Sequence, residues 1–184
     1  MKIRRVVVTN SDGSSQVVEA GEPPRTSVYA ATPGFQQSLV WCTPPEVTLD
    51  PPAEDPTLAA TSMIPGPAET HLVVLTLPPD SVYADPSFDA AAAGAEMARN
   101  APGLAELFEP DVPGMHTTPT VDYNVVLDGE VWLELTGGTV HLTPGTVVVQ
   151  HGTRHAWRNK GDRPVTLLAV MIGARGSSIA EGGE

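Results

Sequence analysis

The chain has 184 residues, 41% of them hydrophobic and 17% charged, which is enough for one well-buried core and short for two. With 22 acidic against 10 basic side chains the formal net charge is −12, a field that repels phosphate backbones and anionic lipid headgroups, so neither nucleic acid nor a membrane surface is an expected partner. No stretch approaches the roughly 20 apolar residues of a membrane-spanning helix. Val6, Val7 and Val8 make too short a run for a signal-peptide core, and the single cysteine, Cys42, cannot form an internal disulfide, so a cytoplasmic location is expected.

Strand signals dominate from the start. Residues 4–9 and 16–19 are β-rich and flank Asn10-Ser11-Asp12-Gly13, whose Asp-Gly marks a tight turn. Residues 35–42 read as a further strand, closed by Thr43-Pro44-Pro45. Residues 44–69, rich in Pro, Glu, Asp and Thr, read as a surface crossing with little regular structure. The apolar run 71–77, ended by Pro78-Pro79, is expected to be a buried strand. The one helical zone is 86–108, with Ser87 as candidate cap and an alanine-rich stretch over 90–99 that Asn100-Ala101-Pro102-Gly103 stops. This helix is expected to pack on the outside of a sheet, the competing role being a lid over a pocket.

From residue 123 onward short strands alternate with turns: 123–127, 131–135, 139–142, 146–150, 155–158 and 165–172, separated by Asp128-Gly129, Gly137-Gly138, Pro144-Gly145, His151-Gly152 and Lys160-Gly161-Asp162. Such spacing argues an all-β sandwich, jelly roll or barrel. The Gly- and Ser-rich residues 174–184 read as a flexible tail.

Four of the five histidines lie between His116 and His155. On an extended chain His116, Thr118 and Asp122 share a face, with Val125 and Leu127 opposite and packed on the core. In the stretch Gly152-Thr153-Arg154-His155-Ala156-Trp157, a glycine turn precedes a strand that carries His155 and Trp157 on one face. If the two strands are neighbours, two imidazoles and one carboxylate meet, a set that suits Fe(II), Mn(II), Ni(II) or Zn(II) and leaves positions open for water, oxygen or substrate. A bare buried carboxylate at Asp122 is costly and requires a metal or an arginine as partner. Structural roles are expected for His71 and exposure for His141. Trp132 reads as core or interface, and Cys42 as no nucleophile. No phosphate-binding glycine loop and no serine elbow is present.

These two stretches resemble the paired motifs of the cupin superfamily, and more narrowly small single-domain bacterial and fungal cupins with a longer N-terminal region and mostly unassigned activity. His116-Thr117-Thr118, three residues, Asp122, six residues and Gly129 reproduce the spacing of the first motif; Gly152, His155 and Asn159 match the end of the second. The resemblance implies an all-β cupin jelly-roll barrel with an N-terminal strand extension and one or two short helices. Its parts would be residues 1–69 as N-terminal strands and crossing loop, 70–173 as barrel core and 174–184 as tail, with a homodimer covering exposed sheet edges. Carried over, His116, Asp122 and His155 match metal-ligand positions. Thr118 stands where the family has its second histidine, Asp122 is one methylene shorter than the usual Glu, Pro110 replaces a leading glycine, and Gln150-His151 replaces a proline segment.

The function so implied is a metal-dependent enzyme acting on a small organic molecule, with Fe(II) and oxygenase chemistry first and a Lewis-acid lyase or isomerase as the alternative. His151 is the candidate proton carrier, and Thr118, Gln150 and Trp157 are the candidate substrate contacts. A ligand-binding module without turnover is the reading from another class, favoured by the altered ligand set.

Overall fold

In the computed structural model, which describes residues 1–176, Asp12 and Gly13 take φ of +51° and +76°. These are the left-handed values that a two-residue hairpin requires, and they join β1 (Arg5–Ser11) to β2 (Ser14–Gly21). There follow β3 (Arg25–Val28), β4 (Gln36–Thr43), α1 (Pro56–Ala59), β5 (Thr70–Leu77), α2 (Ala90–Asn100), β6 (Thr120–Asp128), β7 (Val131–Leu135), β8 (Gly138–Leu142), β9 (Val147–His151), β10 (His155–Arg158) and β11 (Val165–Gly173). A six-stranded sheet runs β3-β4-β5-β11-β6-β9, a three-stranded sheet runs β10-β7-β8, and β1-β2 stand as a separate pair. All the pairings are antiparallel. The expected strands are present within a few residues of their bounds, and β3 is an addition. β3 and β4 pair into the main sheet and extend it back to Arg25.

Register explains where the core lies. Residues paired directly across antiparallel strands project to the same face. One row therefore runs Leu75–Leu167–Val126, a second Leu39–Val73–Ala169–Asn124–Val148, and a third Cys42–His71–Met171–Asp122–Gln150. The first row meets Val131, Leu133 and Leu142 of the smaller sheet in one apolar cluster. The expected core residues Val125 and Leu127 are instead on the outer face, half-buried and exposed respectively. On β6 it is Val126 that enters the core, on the same side as Asp122. In a barrel one face serves both core and site, at different heights.

Three strands cannot cover six. The inner face left open over β4, β5 and β11 is closed by Met63 from the crossing loop and by Met97, Ala101 and Leu104 from α2 and its exit, against Leu39, Cys42, Val73 and Ala169. The helix thus lies over the inner face, not on the outside of the sheet as expected. Its cap also differs: the Asp89 carboxylate accepts from the Ala92 N–H at 2.9 Å, while Ser87 hydrogen-bonds Asp85. Glu96 accepts from the Ala30 and Ala31 amides at 3.0 and 2.7 Å and docks the helix on the loop after β3. At the other end the buried Arg5 guanidinium donates to the Val40 carbonyl at 2.9 Å and pairs with Glu19 and Asp55, so the first hairpin is tied to β4 and to the cap of α1. No helix among the described residues is long and apolar enough to cross a membrane.

Leu167 is fully buried between Leu75 and Val126. Leu167→Ala is expected to cost about 3 kcal/mol of unfolding free energy, measured by urea denaturation, because the site is bounded by two sheets that cannot both collapse into the void.

Candidate functional site

His116 and His155 are joined by two reciprocal backbone hydrogen bonds, His116 N–H to His155 C=O and the reverse, each 2.9 Å. This isolated bridge continues the small sheet by one rung and sets the two imidazoles side by side, centroids 4.3 Å apart. Each ring is anchored through Nδ1: His116 to the Gly114 carbonyl at 3.0 Å, His155 to the Thr153 carbonyl at 2.9 Å. A carbonyl only accepts, so Nδ1 carries the proton in both rings. In the neutral ring Nε2 then holds a free lone pair, the form that binds metal. Phe108 stacks on His116 at 4.7 Å, and Trp157 meets the His155 ring edge-on at 5.7 Å.

Between His116 and Thr120 the chain leaves the small sheet and enters the large one. Asp122 therefore stands on the wall formed by β6, β9 and β11, beside Gln150 and Met171, and not on a strand next to His155. Alternation predicts a shared face for His116 and Asp122, but it fails to predict that the strand changes sheet between them. Among the described residues no three His, Cys, Asp or Glu side chains form a group able to hold one ion. The two imidazoles are brought together; the carboxylate does not join them.

The Asp122 wall is polar and closed. Thr118, Thr120, Asp122, Asn124 and Gln150 are all buried. Thr120 donates to the Thr118 hydroxyl at 2.7 Å, Asn124 Nδ2 to Gln150 Oε1 at 2.8 Å, and Gln150 Nε2 to the Thr153 hydroxyl at 2.9 Å. Oδ1 of Asp122 is buried with no hydrogen-bond partner. Thr120 and Asn124 were identifiable from sequence, since they share the parity of Asp122 along the strand. The pair of Glu109 with Arg154, at 2.6 and 2.7 Å, was not, being 45 residues apart in sequence. It ties the segment carrying Phe108 to the turn that anchors His155.

His151, expected to reach the pocket as a proton carrier, is exposed on the outer face, because Gln150 takes the inward position and neighbours on a strand alternate. His141 is likewise outside, stacked on Trp132 and paired with Glu130 at 2.9 Å. His71 is buried with Nδ1 on the Met63 carbonyl at 3.0 Å, a structural role. Burial pushes the Cys42 thiol up to about 11, which keeps it an unreactive thiol.

Burial lowers the pKa of both site histidines: His155 to about 4, with the neighbouring His116 adding to the effect, and His116 in the same direction, partly countered by the Gly114 carbonyl and Glu109. Burial raises the Asp122 carboxyl, and the Thr120 and Thr118 hydroxyls draw it partly back.

A two-sheet antiparallel jelly-roll barrel with paired imidazoles at one end of its interior defines the class. Residues 106–171 match the family model described as the Cupin domain. It is similar to Oryzines biosynthesis cluster protein J of Aspergillus oryzae, 52% identical over 48 residues, which is 26% of this chain and 27% of that protein. It is also similar to Phomopsin biosynthesis cluster protein C' of Diaporthe leptostromiformis, 53% identical over 47 residues and 25% of each. The match thus spans about a quarter of the length of these curated relatives. Among solved structures it is similar to a putative ethanolamine utilization protein Q of Salmonella typhimurium (10% identity, 95% of this chain and 99% of that one, TM-score 0.42). Another is a sugar phosphate isomerase from a cupin superfamily of Silicibacter pomeroyi (16% identity, 80% and 68%, TM-score 0.41).

Because His155 titrates near 4 when folded and near 6.5 when unfolded, the unfolded chain binds the proton first on acidification. Stability is expected to fall between about pH 6.5 and 4 by about 3 kcal/mol on this account. Urea unfolding of the wild type and His155→Gln across this range checks it: the variant's curve is shallower, and parallel curves would show that His155 is not a buried neutral ring.

Proposed function

We propose that the protein is a metal-dependent cupin enzyme that acts on a small organic molecule at the polar end of its barrel. The observation that carries this reading is the pair of imidazoles, each locked through Nδ1 on a backbone carbonyl with Nε2 left as a lone pair. His116 and His155 would hold one divalent transition metal, Fe(II) as first choice and Mn(II), Ni(II) or Zn(II) as others. Bound there, the metal would supply oxygen chemistry as Fe(II), or Lewis-acid polarisation of a carbonyl or carboxylate. Two nitrogen donors suit such an ion in kind, and the remaining positions fall to water and substrate. The chain's own groups do the rest. Trp157 and Phe108 fix the rings from either side and exclude water, Thr118 and Thr120 offer hydroxyls to a bound molecule, and the buried Asp122 carboxyl holds or releases a proton facing it. The curated relatives named above carry names of biosynthesis-cluster proteins, which fits modification of a small molecule.

A second reading, binding without turnover, is favoured by Thr118 in the place of a histidine and by the missing third donor. Elemental analysis after Fe(II) or Zn(II) reconstitution separates the two. About one metal per chain is expected in the wild type and well under a tenth of that in His116→Ala and His155→Ala. A wild type that holds no metal after reconstitution removes the metalloenzyme reading and leaves the binding module. Activity retained without oxygen assigns the non-oxidative branch.

A further inference from the structure

The polar groups around Asp122 are already committed to one another. Asn124 donates to Gln150, Gln150 to Thr153 and Thr120 to Thr118, and Oδ1 of Asp122 is buried without a hydrogen-bond partner. Asp122 is 5% exposed, on the inner face of β6 between Met171 and Gln150. Among the described residues it has no lysine, arginine or histidine partner, and no charged group contributes to its electrostatics. A buried acid with no counter-ion and one oxygen left without a donor is costly to keep, and the chain could remove it with any apolar residue of similar size. The resemblance assigns it to the metal, yet the histidines stand on the other wall and form no three-donor group with it.

We infer that Asp122 is the recognition point for a ligand bearing a protonated amine, with its free Oδ1 accepting from the ammonium, and is not a ligand of the metal. The inference rests on the proposed reading of the barrel interior as a small-molecule site. An ammonium supplies both things Oδ1 lacks, a donor and a positive charge, where a hydroxyl supplies only the first. The net charge of −12 concentrates cations at the protein surface and disfavours an anionic ligand.

Two measurements on the same proteins test this. Propylammonium, propanol and propionate are titrated at equal ionic strength into the ¹⁵N-labelled wild type and Asp122→Asn, with the amide shifts of residues 118–124 as readout. Saturable shifts are expected with propylammonium alone, at least about tenfold weaker in Asp122→Asn. Equal binding of propanol, or no loss in the variant, overturns the proposal. Zn(II) is then titrated into the wild type, Asp122→Asn, Asp122→Ala and His155→Ala. Both Asp122 variants are expected to bind zinc within about threefold of the wild type while His155→Ala loses it. A loss in the Asp122 variants as large as in His155→Ala makes Asp122 a metal ligand and overturns the proposal. A wild type that binds no zinc overturns the metal reading of the histidines alone, and the amine titration still decides Asp122. A higher thermal midpoint of Asp122→Asn at pH 8 supports it further, and confirms that the variant is folded.

Discussion

The reciprocal backbone bridge between His116 and His155 is the constraint on which the site depends. Two hydrogen bonds of 2.9 Å close the small sheet at its polar end, and with them fixed the imidazoles have nowhere to go but side by side. The same bridge dictates where the chain must turn. Having paired with β10 at residue 116, it has only Thr117, Thr118 and Pro119 in which to reach the large sheet before β6 begins. The separation of the histidines from Asp122 follows from this crossing, not from any feature of Asp122 itself.

Along the barrel the interior changes character by rows. Leu75, Leu167 and Val126 form a dry base with the small sheet; one row up, Asn124 enters; one further come the buried Asp122 and Gln150, with His71 and Cys42 farther along the same row. Apolar burial at the base, about 25 cal/mol per Å² removed from water, offsets the cost of holding polar groups at the other end. The two regions are coupled through β6 and β11, which contribute to every row, so the site inherits the rigidity of the core instead of resting on loops. The Glu109–Arg154 pair and Phe108 extend that rigidity to the segment beside His116.

Much of this was legible in the sequence because turns announce themselves. Asp12-Gly13, Asp128-Gly129 and Pro144-Gly145 each ended a strand where expected, and the positive φ at Gly13, Gly129 and Gly145 shows why a glycine was needed. What was not legible depends on neighbours far away in the chain. β3, Arg25–Val28, is short and only half-buried, so no alternation marks it; it exists because β4 offers it an edge. The position of α2 follows from the mismatch between a six-stranded and a three-stranded sheet, which no local pattern contains. For Gln150 and His151 the sequence offered two adjacent polar residues, and only the register against Asp122 decides that the amide points in and the imidazole out.

The replacement of a histidine by Thr118 bears on the same geometry. A third imidazole at that position would add a nitrogen donor to the pair already formed. A threonine adds a hydroxyl that accepts from Thr120 and lies close enough to Asp122 to act on its carboxyl. The substitution therefore moves residue 118 out of the imidazole group and into the polar wall opposite. The two imidazoles of the small sheet are thus set apart from the hydrogen-bonded Thr118, Asn124 and Gln150 that line up with the buried Asp122 on the large one.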